Sequence, residues 1–360
     1  MTFSPGDPAP FFDARTGGTA AFPFHTVGGR PVVLSFLGSV QVPAAAAVLR
    51  HILERHRTWF DDKQACFFGV SIDPGDEQRG LLQDQMPGIR FIRDFDSAVS
   101  RLYGAAGASQ HGRTDYRPMT LVLDPMLRVI AAIPIRDNDR HDAQLDQAIA
   151  DIGTARQGYH APVLVLPHVF EPEICAQLMA LNQEGGTRAS GVMREVDGKT
   201  VEVNDAQHKK RSDVMIADPA LQMQLRDRIG RRLVPAILQA FHFRVTHLER
   251  YLVACYDAGD GGFFNAHRDN VTRGTAHRRL ALTINLNADY EGGELVFGEF
   301  GTVFRAEPGA AVVFSCSLMH EVLPVRRGKR FAFLPFLHDD AAEQVRLQNQ
   351  HYIESGNAGR

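Results

Sequence analysis

Cysteine is scarce in this 360-residue chain, which has four, none of them in a CxxC pair. They are so widely spaced that neither a disulfide framework nor a structural zinc site is expected; they are Cys66, Cys175, Cys255 and Cys316. Long apolar runs are also missing, since stretches such as residues 310–314 are far too short to cross a bilayer. These absences favour a cytoplasmic protein with reduced thiols and no membrane partner.

The chain also has no large excess of positive or negative charge. Its 39 Lys and Arg residues nearly balance 42 Asp and Glu residues, giving a net charge of −3. Such a balance gives no electrostatic footprint for nucleic acid, so no nucleic-acid partner is expected. The start, MTFSPGDPAPFF, has no basic segment followed by an apolar run and is not expected to be a signal peptide. Length and composition indicate two globular domains.

The first part of the chain alternates between strand and helix patterns. The predicted strands are residues 31–37, 66–73, 119–124 and 129–133, and the predicted helices are residues 44–60, 97–103 and 142–152. The order β-α-β-α-β-β predicts an α/β domain with a central sheet over residues 1–152. Residues 153–160 then read as a linker.

Several segments of this part follow one another in a recognisable order: GDPAPFFDA, RPVVLSF, GVSIDPGD, FIRDFDSAVSRLYGA and RPMTLVLDP. Together they resemble the peroxiredoxin family, which implies a thioredoxin-like fold. The family places its peroxidatic cysteine after the first core strand, but here that stretch is LGSVQVPAA. Without a thiolate there, we expect a redox-inactive domain kept for packing, substrate presentation or homodimer formation. Cys66 lies in a buried-strand pattern and reads as an inert core thiol, and Arg117, where the family often has an active-site arginine, reads as a surface residue.

The second part, residues 161–360, begins with helical patterns and ends with short strands. A strand near residue 163 precedes a helix that starts at Pro172, and a polar segment, 191–205, is expected to be a loop or hairpin. Asp218-Pro219 predicts the start of a helix running to about Phe241. Beyond Val245, short strands with glycine-containing turns predict a β-sandwich or barrel with flanking helices.

A set of metal-binding side chains stands in this strand-rich region. His267 and Asp269 are two residues apart, so on one strand both would face the same side. His320 comes at the end of an apolar stretch and is the best third ligand. Two imidazoles and one carboxylate leave three positions of an octahedron open, the arrangement used for Fe(II) and O₂ chemistry.

An arginine ten residues further on suits a dicarboxylate cosubstrate. Arg330 follows a turn at Gly328 and should begin a strand running beside that of His320. A guanidinium there can bind a terminal carboxylate through two parallel hydrogen bonds. Lys329 should point to the other face of that strand.

Three segments carry a second resemblance: LVACYDAGDGGFFNAHRDN, LALTINLNADYEGGELVF and PGAAVVFSCSLMHEVLPVRRGKRFAF. Over about residues 160–338 the chain resembles the prolyl-hydroxylase branch of the 2-oxoglutarate/Fe(II) dioxygenases. This implies a double-stranded β-helix (jelly-roll) domain that uses Fe(II), 2-oxoglutarate and O₂, with ascorbate as a further cofactor, and hydroxylates a C–H bond of a peptide or small molecule. It assigns the metal to His267, Asp269 and His320, and the far carboxylate of 2-oxoglutarate to Arg330. It also places Tyr256 and Asn285 in the cosubstrate pocket, although oxygen-sensing relatives have tyrosine at the positions of Asn285 and Phe264.

Two other functions stay open at this point. A thiol peroxidase carried by the first domain would need a reactive cysteine, and a sensing module would bind metal and 2-oxoglutarate without turnover. The charged run from His208 to Asp213 should be a solvated face or a substrate-side loop. Solvent exposure is likewise expected for His277, Arg278 and Arg279.

Overall fold

The computed structural model describes residues 3–107, 115–136, 138–154, 160–184 and 186–353. The chain divides into two compact units, the first made of residues 1–159 with 298–301 and the second of residues 160–297 with 302–360. Most of the expected linker, residues 155–159, lies outside the described residues. In the described parts, no helix has both the length and the apolar character needed to span a bilayer.

The first unit is mixed α/β. Its strands are β1 Asp13–Ala14, β2 Phe22–Pro23, β3 Val32–Gly38, β4 Cys66–Ser71, β5 Ile89–Arg93, β6 Met119–Leu123 and β7 Val129–Pro134, and its helices are α1 Pro43–Arg55, α2 Pro74–Gln78, α3 Ala98–Leu102 and α4 Asn138–Thr154. The main sheet has the order β5-β4-β3-β6-β7. Strand β3 is parallel to β4 and antiparallel to β6, and all seven of its residues are buried. Apolar clusters cover the two faces of the sheet, and α1 and α4 contribute to one of them.

Strand β5 and helix α1 of this unit differ from the sequence-based expectation, and β1, β2 and α2 were not expected either. Strand β5 was not predicted, because Arg90 and Arg93 interrupt its buried apolar residues, Ile89, Phe91 and Ile92. Helix α1 ends at Arg55 rather than at residue 60, since His56 leaves the helical conformation at φ −114° and ψ 8°. The side chain of His56 then lies against α4, where its ring meets Asp146.

The second unit carries most of the strands. They are β8 Val163–Leu166, β9 Arg188–Ala189, β10 Val192–Val196, β11 Lys199–Val203, β12 Lys209–Lys210, β13 Ser212–Met215, β14 His247–Glu249, β15 Leu252–Asp257, β16 Phe263–His267, β17 Leu280–Asn285, β18 Glu291–Gly292, β19 Leu295–Phe297, β20 Thr302–Phe304, β21 Ala311–Ser315, β22 His320–Val322, β23 Val325–Arg327, β24 Lys329–Phe333 and β25 Phe336–His338. The helices are α5 Pro172–Gln183, α6 Pro219–Arg232, α7 Val234–Phe241 and α8 Asp340–Asn349.

Two sheets of this unit position the candidate site. The larger follows the order β14-β25-β17-β24-β15-β13-β9, with β21 and β8 joined through β17, and the smaller follows the order β12-β16-β22-β19-β20. Phe297 of the smaller sheet packs edge-on against Phe314 of the larger, with ring centroids 4.9 Å apart. On its other face, the larger sheet packs against α5, α6 and α7 through a buried apolar cluster. The sheets therefore enclose a space between their facing sides.

The single helix expected between Asp218 and Phe241 is wrong. The chain instead forms α6 and α7, which meet at Leu233, two residues before Pro235. A proline inside a helix removes a hydrogen-bond donor and clashes with the preceding turn, so the helix is interrupted there. Asp218 caps α6 as expected, its carboxylate accepting a hydrogen bond from the Ala220 amide at 2.9 Å.

Candidate metal centre and cosubstrate cavity

Two histidines meet across adjacent strands of the smaller sheet. His267 ends β16 and His320 begins β22, and the two residues are direct antiparallel partners. Their ring centroids are 4.2 Å apart. His320 is the first residue of its own strand, β22. The apolar strand that precedes it, β21, already ends at Ser315.

Asp269 completes the group from just beyond β16. Its carboxylate oxygens lie 3.7 Å from His267 Nε2 and 3.4 Å from His320 Nε2. The Asp269 amide donates a hydrogen bond of 2.9 Å to the Cys316 carbonyl, which fixes the turn. The strand ends at His267, so a turn, and not the pleat of a shared strand, brings the two ligands to one side. All three side chains offer ligand atoms within 4.8 Å of one another.

The hydrogen bonds of both imidazoles suit a divalent cation between them. His267 Nδ1 lies 2.7 Å from the Asn265 carbonyl and His320 Nδ1 lies 3.0 Å from the Leu318 carbonyl. A carbonyl only accepts, so each Nδ1 carries the proton and each Nε2 turns a lone pair towards Asp269. Burial and the neighbouring His320 lower the pKa of His267 well below its usual value, which keeps the ring neutral. The donor set therefore fits Fe(II).

An aromatic ring and a lysine pack against the candidate ligand His267. The Phe264 ring lies nearly parallel to that of His267, with centroids 3.5 Å apart. Lys209 Nζ lies 4.5 Å from the Phe264 ring centroid and donates a 2.8 Å hydrogen bond to the Gly191 carbonyl. A solvated face was the wrong expectation for Lys209, Arg211 and Asp213, which are buried, whereas Lys210 between them is exposed. Lys209 of β12, the intervening Arg211 and Asp213 of β13 are two residues apart, so extended backbone places their side chains on one side.

Arg330 lies on β24 of the larger sheet, and it lines a cavity together with residues of the smaller sheet. Strand β24 pairs with β15 and β17, so the expectation that Arg330 runs beside the strand of His320 is wrong. The Arg330 guanidinium stacks at 5.4 Å over the ring of its cross-strand partner, Tyr256. Only 5% of Arg330 is exposed, and no carboxylate of the described residues pairs with it. Lys329 points the other way and pairs with Asp257 at 2.8 Å.

The cavity beside Arg330 contains a polar group that the sequence reasoning missed. Thr283 of β17 lines it, and its buried hydroxyl has no hydrogen-bond partner in the described structure. Gly293 also lines it, with φ at +67°, and a Cβ there would approach Arg330 Cδ to 3.1 Å. An unpaired hydroxyl beside an unpaired guanidinium suits a carboxylate ligand, because a buried polar atom without a partner is costly. Alternation along β17, which places Thr283 on the same face as Asn285, is the signal that could have identified it.

The amide of Asn285 is already engaged. It lines the same cavity, yet its Nδ2 donates to the carbonyls of Asn287 at 2.6 Å and Ala306 at 2.9 Å. Its Oδ1 accepts from the Tyr290 hydroxyl at 3.2 Å. These hydrogen bonds hold Asn285 in the cavity wall, and the phenol group that lines the cavity is that of Tyr290.

The segment that follows Asp269 is also more buried than expected. His277 and Arg278 are 2% and 7% exposed, so the expectation of solvent exposure is wrong for both. Arg278 binds Glu249 at 2.8 Å and reaches the Asp269 carbonyl at 3.5 Å. Arg278 thereby helps to fix the backbone of the metal-ligand turn.

The first unit has no comparable thiol chemistry among its described residues. Cys66 is fully buried, and burial raises the pKa of its thiol to about 12. Ala45 of α1, the last residue of the cysteine-free stretch LGSVQVPAA, is buried. The Arg117 side chain is 79% exposed and lies 3.4 Å from Asp115, as expected for a surface residue.

The class of the second unit follows from comparison with known proteins. Residues 251–338, which include all three candidate ligands and Arg330, match the family model described as the 2OG-Fe(II) oxygenase superfamily. The second unit therefore contains a 2-oxoglutarate- and Fe(II)-dependent dioxygenase domain, and the expected enzyme class is confirmed.

Individual relatives and solved structures are similar to parts of this chain. A PKHD-type hydroxylase of Hyphomonas neptunium is 27% identical over 206 residues, covering 50% of this chain and 86% of its own length. Among solved structures, a prolyl-4-hydroxylase of Pseudomonas putida is similar with 20% identity and a TM-score of 0.36, covering 54% of this chain and 100% of that one. The peroxidoxin BcpB of Mycobacterium tuberculosis is similar with 20% identity and a TM-score of 0.36, covering 43% of this chain and 100% of its own.

Proposed function

We propose that the second unit hydroxylates an unactivated C–H bond of a peptide or small molecule while converting 2-oxoglutarate and O₂ to succinate and CO₂. The observation that carries the proposal is the convergence of His267, Asp269 and His320, with both histidines presenting Nε2 to the carboxylate. These three residues would hold Fe(II), which supplies the O₂-activating chemistry when bound.

The residues around the metal would have separate tasks in this reaction. Arg330 would bind the distal carboxylate of 2-oxoglutarate, with the Thr283 hydroxyl as a second donor. Tyr256 would hold the guanidinium flat by stacking. Asn285 and Tyr290 would keep the cavity wall in place through their mutual hydrogen bond. Ascorbate as a further cofactor stays a prediction.

A groove on the second unit is the best candidate for the substrate side. It has a volume of about 840 Å³ and is lined by residues of the segments 187–190 and 204–212, together with Asp257, Asp260 and Lys329. Lys209 forms part of its wall and lies over Phe264, whose ring covers His267. This lining supports a role for the polar segment 186–213 in selecting the substrate, either a peptide or a metabolite.

The finer architecture is proposed as well. The order β5-β4-β3-β6-β7 supports a thioredoxin-like fold for residues 1–152, and the two facing sheets support a double-stranded β-helix for residues 161–360. We propose that the first domain is redox-inactive and serves packing, dimerisation or substrate presentation. Cytoplasmic location stays a prediction from composition.

The test is an anaerobic titration of the full chain with Fe(II) and 2-oxoglutarate, followed by a succinate screen against peptides and metabolites in air. A metal-to-ligand charge-transfer band and succinate formation are expected, and both should disappear in His267→Ala. If neither appears in the wild-type chain, the proposal fails. Binding with no succinate from any substrate would favour the sensing module instead.

The thiol-peroxidase alternative has its own measurement. Peroxide consumption that survives loss of iron and disappears in Cys66→Ser would establish it. The buried thiol of Cys66 and its raised pKa argue against such activity, because the thiolate is the nucleophile.

A further inference from the structure

A cluster of imidazoles and carboxylates lies in the first unit, between helices α1 and α4. It consists of His51, His56, His141, Asp142 and Asp146. His51 belongs to α1, and His56 is the residue at which that helix ends. The other three belong to α4, so the cluster joins two helices that pack on the same face of the sheet.

Two imidazole nitrogens converge on one carboxylate oxygen. His51 Nε2 lies 3.0 Å and His56 Nε2 lies 2.7 Å from Asp146 Oδ1. The two rings are nearly perpendicular, at 73°, with centroids 5.8 Å apart. Two nitrogens and one oxygen from different parts of the chain thus surround a single point, with all three ligand atoms within 4.8 Å of one another.

A second carboxylate lies beside two of the imidazoles. Asp142 Oδ2 lies 3.4 Å from His51 Nδ1, and its other oxygen lies 3.2 Å from His141 Nδ1. When Nδ1 of a histidine donates to a carboxylate, its Nε2 is left with a lone pair, as in carboxylate–histidine–metal arrangements. The 3.0 Å contact between His51 Nε2 and Asp146 Oδ1 has the length of a hydrogen bond. In the tautomer with its proton on Nδ1, Nε2 would offer its lone pair to a cation held by the same carboxylate.

Charge and access also suit a cation. The two carboxylates outweigh Arg55, whose Nε binds Asp146 Oδ2 at 2.9 Å and whose side chain is 64% exposed. The side chains of His51, His56 and Asp146 are 21%, 13% and 31% exposed, so an ion can reach the site from solvent.

We propose that His51, His56 and Asp146 form a second metal site that takes a divalent transition ion of the Zn²⁺ type. Zn²⁺ binds imidazole nitrogen and carboxylate oxygen at about 2.0–2.2 Å, usually with four ligands in a tetrahedron, which leaves the fourth position to water. Ligand atoms of such a tetrahedron are about 3.3 Å apart, so the nitrogen–oxygen separations of 3.0 and 2.7 Å would widen by about 0.3 and 0.6 Å. The ion would link the end of α1 to α4. This second metal site does not depend on the proposed dioxygenase function.

The test counts Co²⁺ ions on the full chain by equilibrium dialysis and visible absorption. Four proteins are compared: wild type, His56→Gln, the double variant His267→Ala/His320→Ala, and the three changes combined. We expect two ions on the wild type, one on each of the next two and none on the last. The double variant should keep the absorption of a four-coordinate Co²⁺ ion.

Two further measurements separate metal binding from a purely structural role. Trp59, the chain's only tryptophan, lies three residues beyond His56, and its fluorescence should respond to Co²⁺ in the double variant. Zn²⁺ should raise the thermal unfolding temperature of that variant and leave it unchanged after His56→Gln. Asp151→Asn, on the same helix, is the matched control and should bind as the wild type does.

The proposal is overturned if the double variant binds no Co²⁺, or if His56→Gln still binds two ions. If His56→Gln fails to fold, the conservative Asp146→Asn variant is counted in its place. Retention of 2-oxoglutarate turnover by His56→Gln is expected, because this site lies outside the dioxygenase machinery.

Discussion

Replacement of Arg330 by glutamine tests the cosubstrate cavity most directly. The wild-type guanidinium is 5% exposed and pairs with no carboxylate of the described residues, so a bound carboxylate would meet it desolvated and without competition. Truncating one partner of a buried hydrogen-bonded charge pair costs about 2–5 kcal/mol. At about 1.4 kcal/mol per tenfold change, the Kd for 2-oxoglutarate should rise by roughly 30-fold at the lower limit and above 1,000-fold at the upper.

Anaerobic calorimetric titration of 2-oxoglutarate into the Fe(II)-loaded chain measures this change. Arg330→Lys should fall between the wild type and Arg330→Gln, since it keeps the charge and loses the two-pronged geometry. Lys329→Gln is the matched control, because the neighbouring residue faces the opposite side and pairs with Asp257. A Kd for Arg330→Gln within threefold of the wild-type value, or an equal loss in Lys329→Gln, would refute the assignment of Arg330.

Three further outcomes are expected. His267→Ala should lower succinate formation at least about a hundredfold, since the metal would lose one of its three protein ligands. Unchanged turnover at saturating Fe(II) would contradict the role of His267 as a metal ligand. Thr283→Val should raise the unfolding temperature slightly, because it removes an orphaned buried hydroxyl, and should weaken 2-oxoglutarate binding by about 1 kcal/mol, or roughly fivefold; the hydroxyl has no cosubstrate role if binding is unaltered. In the first unit, burial would raise the pKa of Asp62, but two hydrogen bonds of 2.7 Å from Arg90 lower it below its usual value of 3.8. The stability from this pair is therefore fully present above about pH 4 and is lost as the pH falls through the lowered pKa. Asp62→Asn should cost about 2 kcal/mol at pH 7 and progressively less below pH 4, as urea unfolding followed by Trp59 fluorescence would show; an equal cost at pH 2 would contradict the ion pair.

The sequence alone determined those features that depend on local patterns. Continuous apolar runs predicted β3 and β4, because a strand buried on both faces needs apolar residues throughout. The spacing of His267 and Asp269, with His320 further on, predicted a metal site from the chemistry of the side chains. The absence of a cysteine after β3 predicted an inactive first domain, which stays a prediction.

Tertiary structure decided the features that depend on distant partners. No local pattern shows that β24 pairs with β15 and β17. The sequence therefore placed Arg330 beside the wrong strand, that of His320. Burial of Lys209 and Arg278 depends on partners far away in the chain, such as Gly191 and Glu249, whereas composition favours exposure of such charges. The cavity with the unpaired Thr283 hydroxyl, and the approach of His51 and His56 to Asp146, arise only when separate segments pack together. Periodicity records which side of an element is buried, and only long-range packing determines what that side meets.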